Sequence, residues 1–245
     1  MEEPFTIFSA ASTALAVRVR QPEGLLSALE RLGLEPPRPV LVIVGGASGS
    51  SESGLAQLRP LFAESLVPLA QARAACVVDG GTDAGVMRLL GRTRTELGAS
   101  FPLIGVVVEE LATHPGGGAV NPDAAPLEPN HTHFLLVEGT SWGDESPWLA
   151  GAATALAGGG PSLTVLVGGG EIAWEDVAES VRAGRSVIAI AGSGRTADAV
   201  AAAARGAAGD ERGRELARSP LVSSIDLDDR AGFERALEHA LSRQA

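Results

Sequence analysis

Apolar and polar positions along the chain alternate between two rhythms. Short apolar runs of strand length are followed by longer stretches with helical spacing. The runs VLVIVGG (40–46), ACVVDGG (75–81), PLIGVVVEE (102–110) and SLTVLVGGG (162–170) lack alternation, as strands buried on both faces do. THFLLVEG (132–139), SVIAIAGSG (186–194) and LVSSIDL (221–227) read as further strands, and FTIF (5–8) and LAVRVR (15–20) as an opening strand or hairpin. Helices are predicted near 83–97, 145–157, 173–183, 195–205 and 229–243. A further helix over 53–73 carries Pro60 and Pro68, which predict a kink or a split.

Repeated strand-then-helix order predicts an α/β fold. The expectation is a Rossmann-like, doubly wound, mainly parallel sheet of about seven strands with helices on both faces. No linker or composition shift divides residues 1–245, so a single domain is expected. Two stretches stand outside the rhythm: the Gly/Pro-rich loop 111–130 and the charged segment 206–219.

Four strands run into glycine clusters: VGGASGSSESG (44–54), DGGTDAG (79–85), VGGGE (167–171) and AGSGRTAD (191–198). In a parallel sheet these turns share the C-terminal edge, where open α/β folds bind ligands. Glycines let an anion approach backbone N–H groups at a helix start. Candidate ligand-facing positions are Gly45, Gly46 and Ser48 in the first turn, and Gly80, Gly81, Thr82, Asp83 and Gly85 in the second. Gly169, Gly170 and Glu171 follow in the third, and Gly192, Ser193, Gly194, Arg195 and Thr196 in the fourth. Arg195, with two hydroxyls beside it at a helix start, suits a phosphate or pyrophosphate. The alternatives for these turns are ordinary capped strand-to-helix connections and an Arg195–Asp198 surface pair.

Composition narrows the chemistry. The net charge of −11 argues against binding a nucleic acid polymer, and 4% aromatic content without tyrosine argues against base-stacking platforms. Lysine is absent, which removes a Walker phosphate loop. The lone Cys76 sits in an apolar run and reads as a core residue. The longest uncharged stretch is broken by GGGP, so no membrane span is expected, and MEEPFTIF has no signal pattern, so a cytoplasmic location is expected. His131 and His133 alternate before a strand and share a face; two histidines without a third ligand favour a neighbouring loop or a ligand over a metal. Trp142 or Trp148 offers a surface for an adenine, with a place in the core as the commoner alternative. Glu171 and Glu175, one helical turn apart, are the carboxylates considered for chemistry on a sugar, with a capping and a solvated role as the alternative.

The order VLVIVGGASG, DGGTDAGVMRLLG, LEPNHTHFLLVEG, VLVGGG, AIAGSGRTAD resembles the SLOG domain of melastatin-type TRP channels in its stand-alone prokaryotic form, LSDAT. The resemblance is clearest over residues 38–204. It implies a domain that binds or senses a nucleotide-derived small molecule, ADP-ribose or a related NAD-derived nucleotide, with no other cofactor required, and a homodimer. GGTDAGVM also resembles the glycine turn of the Lonely Guy phosphoribohydrolases, and VGGGEIAWE resembles their second motif with Glu171 and Ile172 replacing a glycine and a threonine. That implies an alternative, an enzyme hydrolysing a nucleotide N-glycosidic bond through Glu171 or Glu175.

Overall fold

The computed structural model describes residues 3–8, 13–46, 52–115, 117–118, 121–207 and 209–242. One nine-stranded sheet runs through it. Its strands are β1 (Phe5–Phe8), β2 (Thr13–Val19), β3 (Val40–Gly45), β4 (Cys76–Asp79), β5 (Leu103–Val108), β9 (His133–Val137), β10 (Ser162–Val167), β11 (Ser186–Ala191) and β12 (Val222–Asp226). Three short strands, β6 (Ala112–His114), β7 (Gly117–Gly118) and β8 (Ala125–Pro126), form a separate small sheet. The spatial order of the large sheet is β1-β2-β9-β5-β4-β3-β10-β11-β12, all parallel except β1 against β2. The sheet is therefore larger than the expected seven strands. The opening hairpin does not stand apart but pairs β2 with β9, extending the same edge.

The helices are α1 (Leu25–Arg31), α2 (Glu52–Pro60), α3 (Val67–Ala72), α4 (Gly85–Glu96), α5 (Ser146–Ala157), α6 (Ile172–Arg182), α7 (Arg195–Ala204), α8 (Glu211–Leu216) and α9 (Arg230–Leu241). The predicted helix over 53–73 is split as its prolines require: a π-helical turn, Leu61–Leu66, follows Pro60 and joins α2 to α3. Pro60 has no N–H to donate and crowds the preceding turn, so the ladder widens there.

Alternation along β3 sorts the two layers. Val40, Val42 and Val44 enter one core with α1, α5, α6 and α7. Leu41 and Ile43 enter the other with α2, α3, α4 and α9. Both faces of the strand are buried, which is why its sequence shows no polar positions. Connections from β3 run to β4 on one side, while β10 lies on the other, so the direction of winding reverses between β3 and β10. That reversal opens a crevice at the carboxyl ends of these strands. Among the described residues no helix is long and apolar enough to cross a membrane.

Candidate functional site

A cleft of about 570 Å³ opens at the reversal between β3 and β10. Its glycine wall comes from the first three turns: Gly45 and Gly46 after β3, Gly80 and Thr82 after β4, Gly170 and Glu171 after β10. Ala84 and Met87 from the start of α4, Ile172 at the start of α6 and Arg195 at the start of α7 complete that side. None of these three helices has a side-chain N-cap hydrogen bond. Backbone carbonyls take part of the load, the Val86 N–H of α4 donating to the Gly46 carbonyl at 3.4 Å and the Ala197 N–H of α7 to the Gly168 carbonyl at 2.7 Å. Three helix N-termini without side-chain caps thus face one cleft, each carrying partial positive charge.

The glycines do different jobs. Gly80 has open space where a side chain would stand, and it faces the cleft. Gly81 has φ +64, and a Cβ there would lie 2.8 Å from the Gly105 Cα of β5, so this glycine serves close packing. A Cβ on Gly45 would meet Val86 at 2.7 Å, which brings α4 tightly against β3. Gly169, at φ +93, lets Ala173 of α6 and Thr196 of α7 approach. Gly85, at φ +48, begins α4. The Arg195 guanidinium lies beside Gly170, where a Cβ would sit 3.4 Å from it in ordinary contact. Arg195 itself holds φ +51, a left-handed conformation that costs a non-glycine residue.

Only part of the fourth turn reaches the cleft. Ser193 Oγ donates to the Ile190 carbonyl and accepts from the Gly168 N–H at 2.9 Å. Thr196 Oγ1 donates to the Gly170 carbonyl at 2.9 Å. The Gly192 N–H donates to Asp198 Oδ1 at 2.7 Å, and Gly192 lines a separate depression beside Leu227. These positions, with Gly194 at φ +94 as the cap of α7, shape the turn from behind. Their hydroxyls, expected to meet a ligand, are spent on protein partners. Asp83 is likewise engaged, accepting from Arg88 Nε at 2.7 Å. Ser48 lies outside the described residues.

The opposite wall is acidic and aromatic. Trp142 lines it while also packing on the core, its indole N–H donating to the Asp123 carbonyl at 3.1 Å; Trp148 packs against the core and does not line the cleft. Glu145 is 7% exposed and accepts from the Gly143 N–H at 2.8 Å. Burial raises its carboxyl above the ordinary range. Asp176 on α6 accepts from Ser146 Oγ at 2.6 Å. Burial pushes Asp176 up to about 7, against the Ser146 hydroxyl and with help from the neighbouring Glu145 and Glu175.

Neither carboxylate singled out in the sequence holds this inner position. Glu171 reaches only the rim, 80% exposed at its side chain and paired with Arg212, whose guanidinium lies 4.5 Å over Trp174. Glu175 points outward and pairs with Arg182 at 3.0 Å. One residue along a helix turns the side chain by about 100°, and that step separates solvent-facing Glu175 from cleft-facing Asp176. The signal in the sequence was the run Glu175-Asp176, which helical spacing resolves only once the cleft side is known.

Because the fold holds Asp176 neutral more readily than the unfolded chain does, its ionisation opposes folding. This loss grows as pH rises from about 4 through about 7. Asp176→Asn is expected to raise thermal stability at pH 8 by about 1–3 kcal/mol, with the gain vanishing in acid. Paired melting curves at both pH values check it; an unchanged or lowered melting point at pH 8 contradicts it.

His131, expected among the ligand-facing residues, does not line the cleft. It is fully buried, with Nε2 2.8 Å from Asp79 Oδ1 and Nδ1 2.9 Å from Glu128 Oε2. Both nitrogens are occupied by protein carboxylates, which leaves none for a ligand. His133 is partly buried and contacts the Thr132 hydroxyl at 2.7 Å. Among the described residues no three His, Cys, Asp or Glu side chains are arranged to hold a metal ion.

Comparison with known proteins follows the same outline. The family model described as SLOG in TRPM, prokaryote, matches residues 38–235. Transient receptor potential cation channel subfamily M member 2 of Mus musculus is 27% identical over 204 residues, covering 69% of this chain and 13% of the channel. The member-like 2 protein of Nematostella vectensis is 29% identical over 132 residues, covering 45% of this chain and 8% of that protein. The chain therefore spans a small part of the length of these relatives. The X-ray structure of the structural-genomics target TM1055 superposes with a TM-score of 0.55 at 19% identity, covering 82% of this chain and 99% of that one. That likeness concerns the fold. With a matched model spanning β3 to α9, the chain belongs to the family described as SLOG in TRPM, prokaryote.

Proposed function

We propose that the cleft binds a nucleotide-derived small molecule, ADP-ribose or a related NAD-derived nucleotide, and that the protein acts as a binding or sensing module. The observation that carries this reading is the convergence of three helix N-termini without side-chain caps and of Arg195 on one cleft. Phosphates sit over Gly46, Gly80 and Gly170, held by helix-start N–H groups and the guanidinium. Trp142 and Met87 give a base an apolar surface, and the carboxylates Glu145 and Asp176 accept from ribose hydroxyls. The family relatives named as cation channels are consistent with a sensing role, and a homodimer is part of the same reading, checked by sedimentation.

The test is a thermal-shift screen with ADP-ribose, NAD, AMP, cyclic ADP-ribose and cytokinin-type nucleotides, with chromatography of the same samples. Stabilisation by ADP-ribose recovered intact supports the module. No stabilisation by any of these compounds refutes the nucleotide reading. Within the same screen, Thr82→Val is expected to cost ADP-ribose about 0.5–1.5 kcal/mol, one neutral hydrogen bond. An unchanged dissociation constant removes the Thr82 hydroxyl from the contact.

A second reading is favoured by one observation, the Asp176 carboxyl poised near neutrality on the cleft wall. Such a group suits hydrolysis of a nucleotide N-glycosidic bond: water adds to the ribosyl carbon, and the base leaves carrying a proton. In this reading Asp176, rather than Glu171 or Glu175, steadies positive charge on the sugar. Free base released by the wild type and lost in Asp176→Asn decides for it.

A further inference from the structure

The buried trio Asp79, His131 and Glu128 lies behind the glycine turn and takes no part in the binding described above. Its bonds reach the backbone of two loops. Asp79 Oδ1 accepts both His131 Nε2 and the Gly81 N–H, the latter at 2.7 Å, while its Oδ2 is buried without a partner. Glu128 Oε2 accepts His131 Nδ1 and the Asn130 N–H, the latter at 2.8 Å. The two loops are also zipped by main chain: the Glu128 N–H donates to the Gly81 carbonyl at 2.8 Å, and the Asp83 N–H to the Pro126 carbonyl at 2.7 Å. Gly80 and Thr82, the cleft-facing residues, flank the very peptide that Asp79 holds.

We propose that His131, as an imidazolium, is a positioning residue that fixes the Gly80–Thr82 turn for ligand without touching it. The proposal rests on the nucleotide reading only for its effect on affinity; its effect on the turn stands alone. The charge argument is local. Two carboxylates buried completely, with one Asp79 oxygen orphaned, need a cation between them. The charged groups facing the trio are Asp79 from β4, Glu128 from the loop before β9, and Arg94 from α4, which acts on Glu128. Phe134 of β9 stacks on the imidazole at 5.4 Å and offers no charge. Gly91 of α4 is held against Glu128, so no side chain or solvent separates α4 from the trio. Burial alone would lower the histidine, but Asp79 and Glu128 hold it up at about 9. With the folded value above the ordinary one, its support is complete in mild acid and disappears as pH rises through about 9.

The chain is unusually suited to the test. It contains no lysine and no tyrosine, burial pushes Cys76 to about 11, and Arg185, which burial lowers to about 10, bonds to α5 and not to the trio, so His131 is the side chain beside the turn left to titrate near pH 9. The experiment follows the 245-residue chain by NMR: the His131 ring nitrogens, the protection factor of the Gly81 amide, and the dissociation constant of ADP-ribose. Wild type is expected to show a doubly protonated ring at about pH 7.5, and to lose Gly81 protection and about tenfold in ADP-ribose affinity by about pH 10, with one midpoint. His131→Gln, which keeps one amide donor, is expected to bind ADP-ribose about tenfold more weakly at about pH 7.5, with both profiles flat to about pH 10. A histidine that merely fills space would lower the melting temperature of that variant and leave the wild-type profiles flat. A neutral ring at about pH 7.5, or flat wild-type Gly81 protection, overturns the proposal without any variant having to fold. ADP-ribose that binds with a flat pH profile refutes the effect on affinity while the nucleotide reading survives. Failure of ADP-ribose to bind at any pH refutes the nucleotide reading, and the amide profile still decides the role of His131 in the turn.

Discussion

Arg195→Ala is expected to weaken ADP-ribose by about 1.5–3 kcal/mol, roughly ten- to more than a hundredfold, because a charge-assisted bond to phosphate is removed. The guanidinium lies beside Gly170 on the cleft wall, so its loss leaves the anion with helix-start N–H groups alone. Stability should move separately from affinity. Arg195 holds φ +51, where glycine is at ease and other residues are strained. Arg195→Gly is therefore expected to lose the same affinity while gaining about 0.5–1 kcal/mol of stability. Titration calorimetry and melting curves on both variants read the two effects. Equal affinity in wild type and Arg195→Ala removes the arginine from the site.

Gly81→Val should be the most damaging single change at this edge. Its Cβ would lie 2.8 Å from both the Gly105 Cα and Val107 Cγ2, and the backbone sits at φ +64. The backbone of β5 cannot retreat without disturbing β4 and β9 on either side. Overpacking together with left-handed strain on a β-branched residue is expected to cost about 2–5 kcal/mol. Chemical denaturation checks the figure. Gly80→Ala is the control: space is open there, so stability should stay within about 1 kcal/mol of wild type while a Cβ intrudes on the cleft. A Gly81→Val protein as stable as wild type would mean the turn is free to move, against the packing described above.

Much of this architecture was legible in the residues. Uninterrupted apolar runs such as VLVIV fixed the buried strands, because a strand covered on both faces tolerates no polar position. Pro60 marked the break in the helix after β3, and the glycine clusters marked the edge where the cleft opens. The helix α1 passed unread, since its seven residues, LLSALER, are too few for a clear period. The short α8 was equally silent, although it matters at the rim through Arg212 and Glu171.

The division between Glu175 and Asp176 shows where sequence reasoning ended. Both are acids on one helix, and composition treats them alike. Which one faces the cleft depends on how α6 is rotated against α5 and β10, and packing sets that rotation. His131 teaches the same point in reverse. A histidine beside a strand looks available until Asp79, 52 residues earlier, closes on its second nitrogen. The sequence by itself determined the periods, the breaks and the flexible turns, because these depend on residues a few positions apart. The tertiary structure alone decided which polar groups were spent on each other and which were left for a ligand. Such pairings join distant residues, and their burial multiplies the strength of each contact and the cost of leaving it unmade.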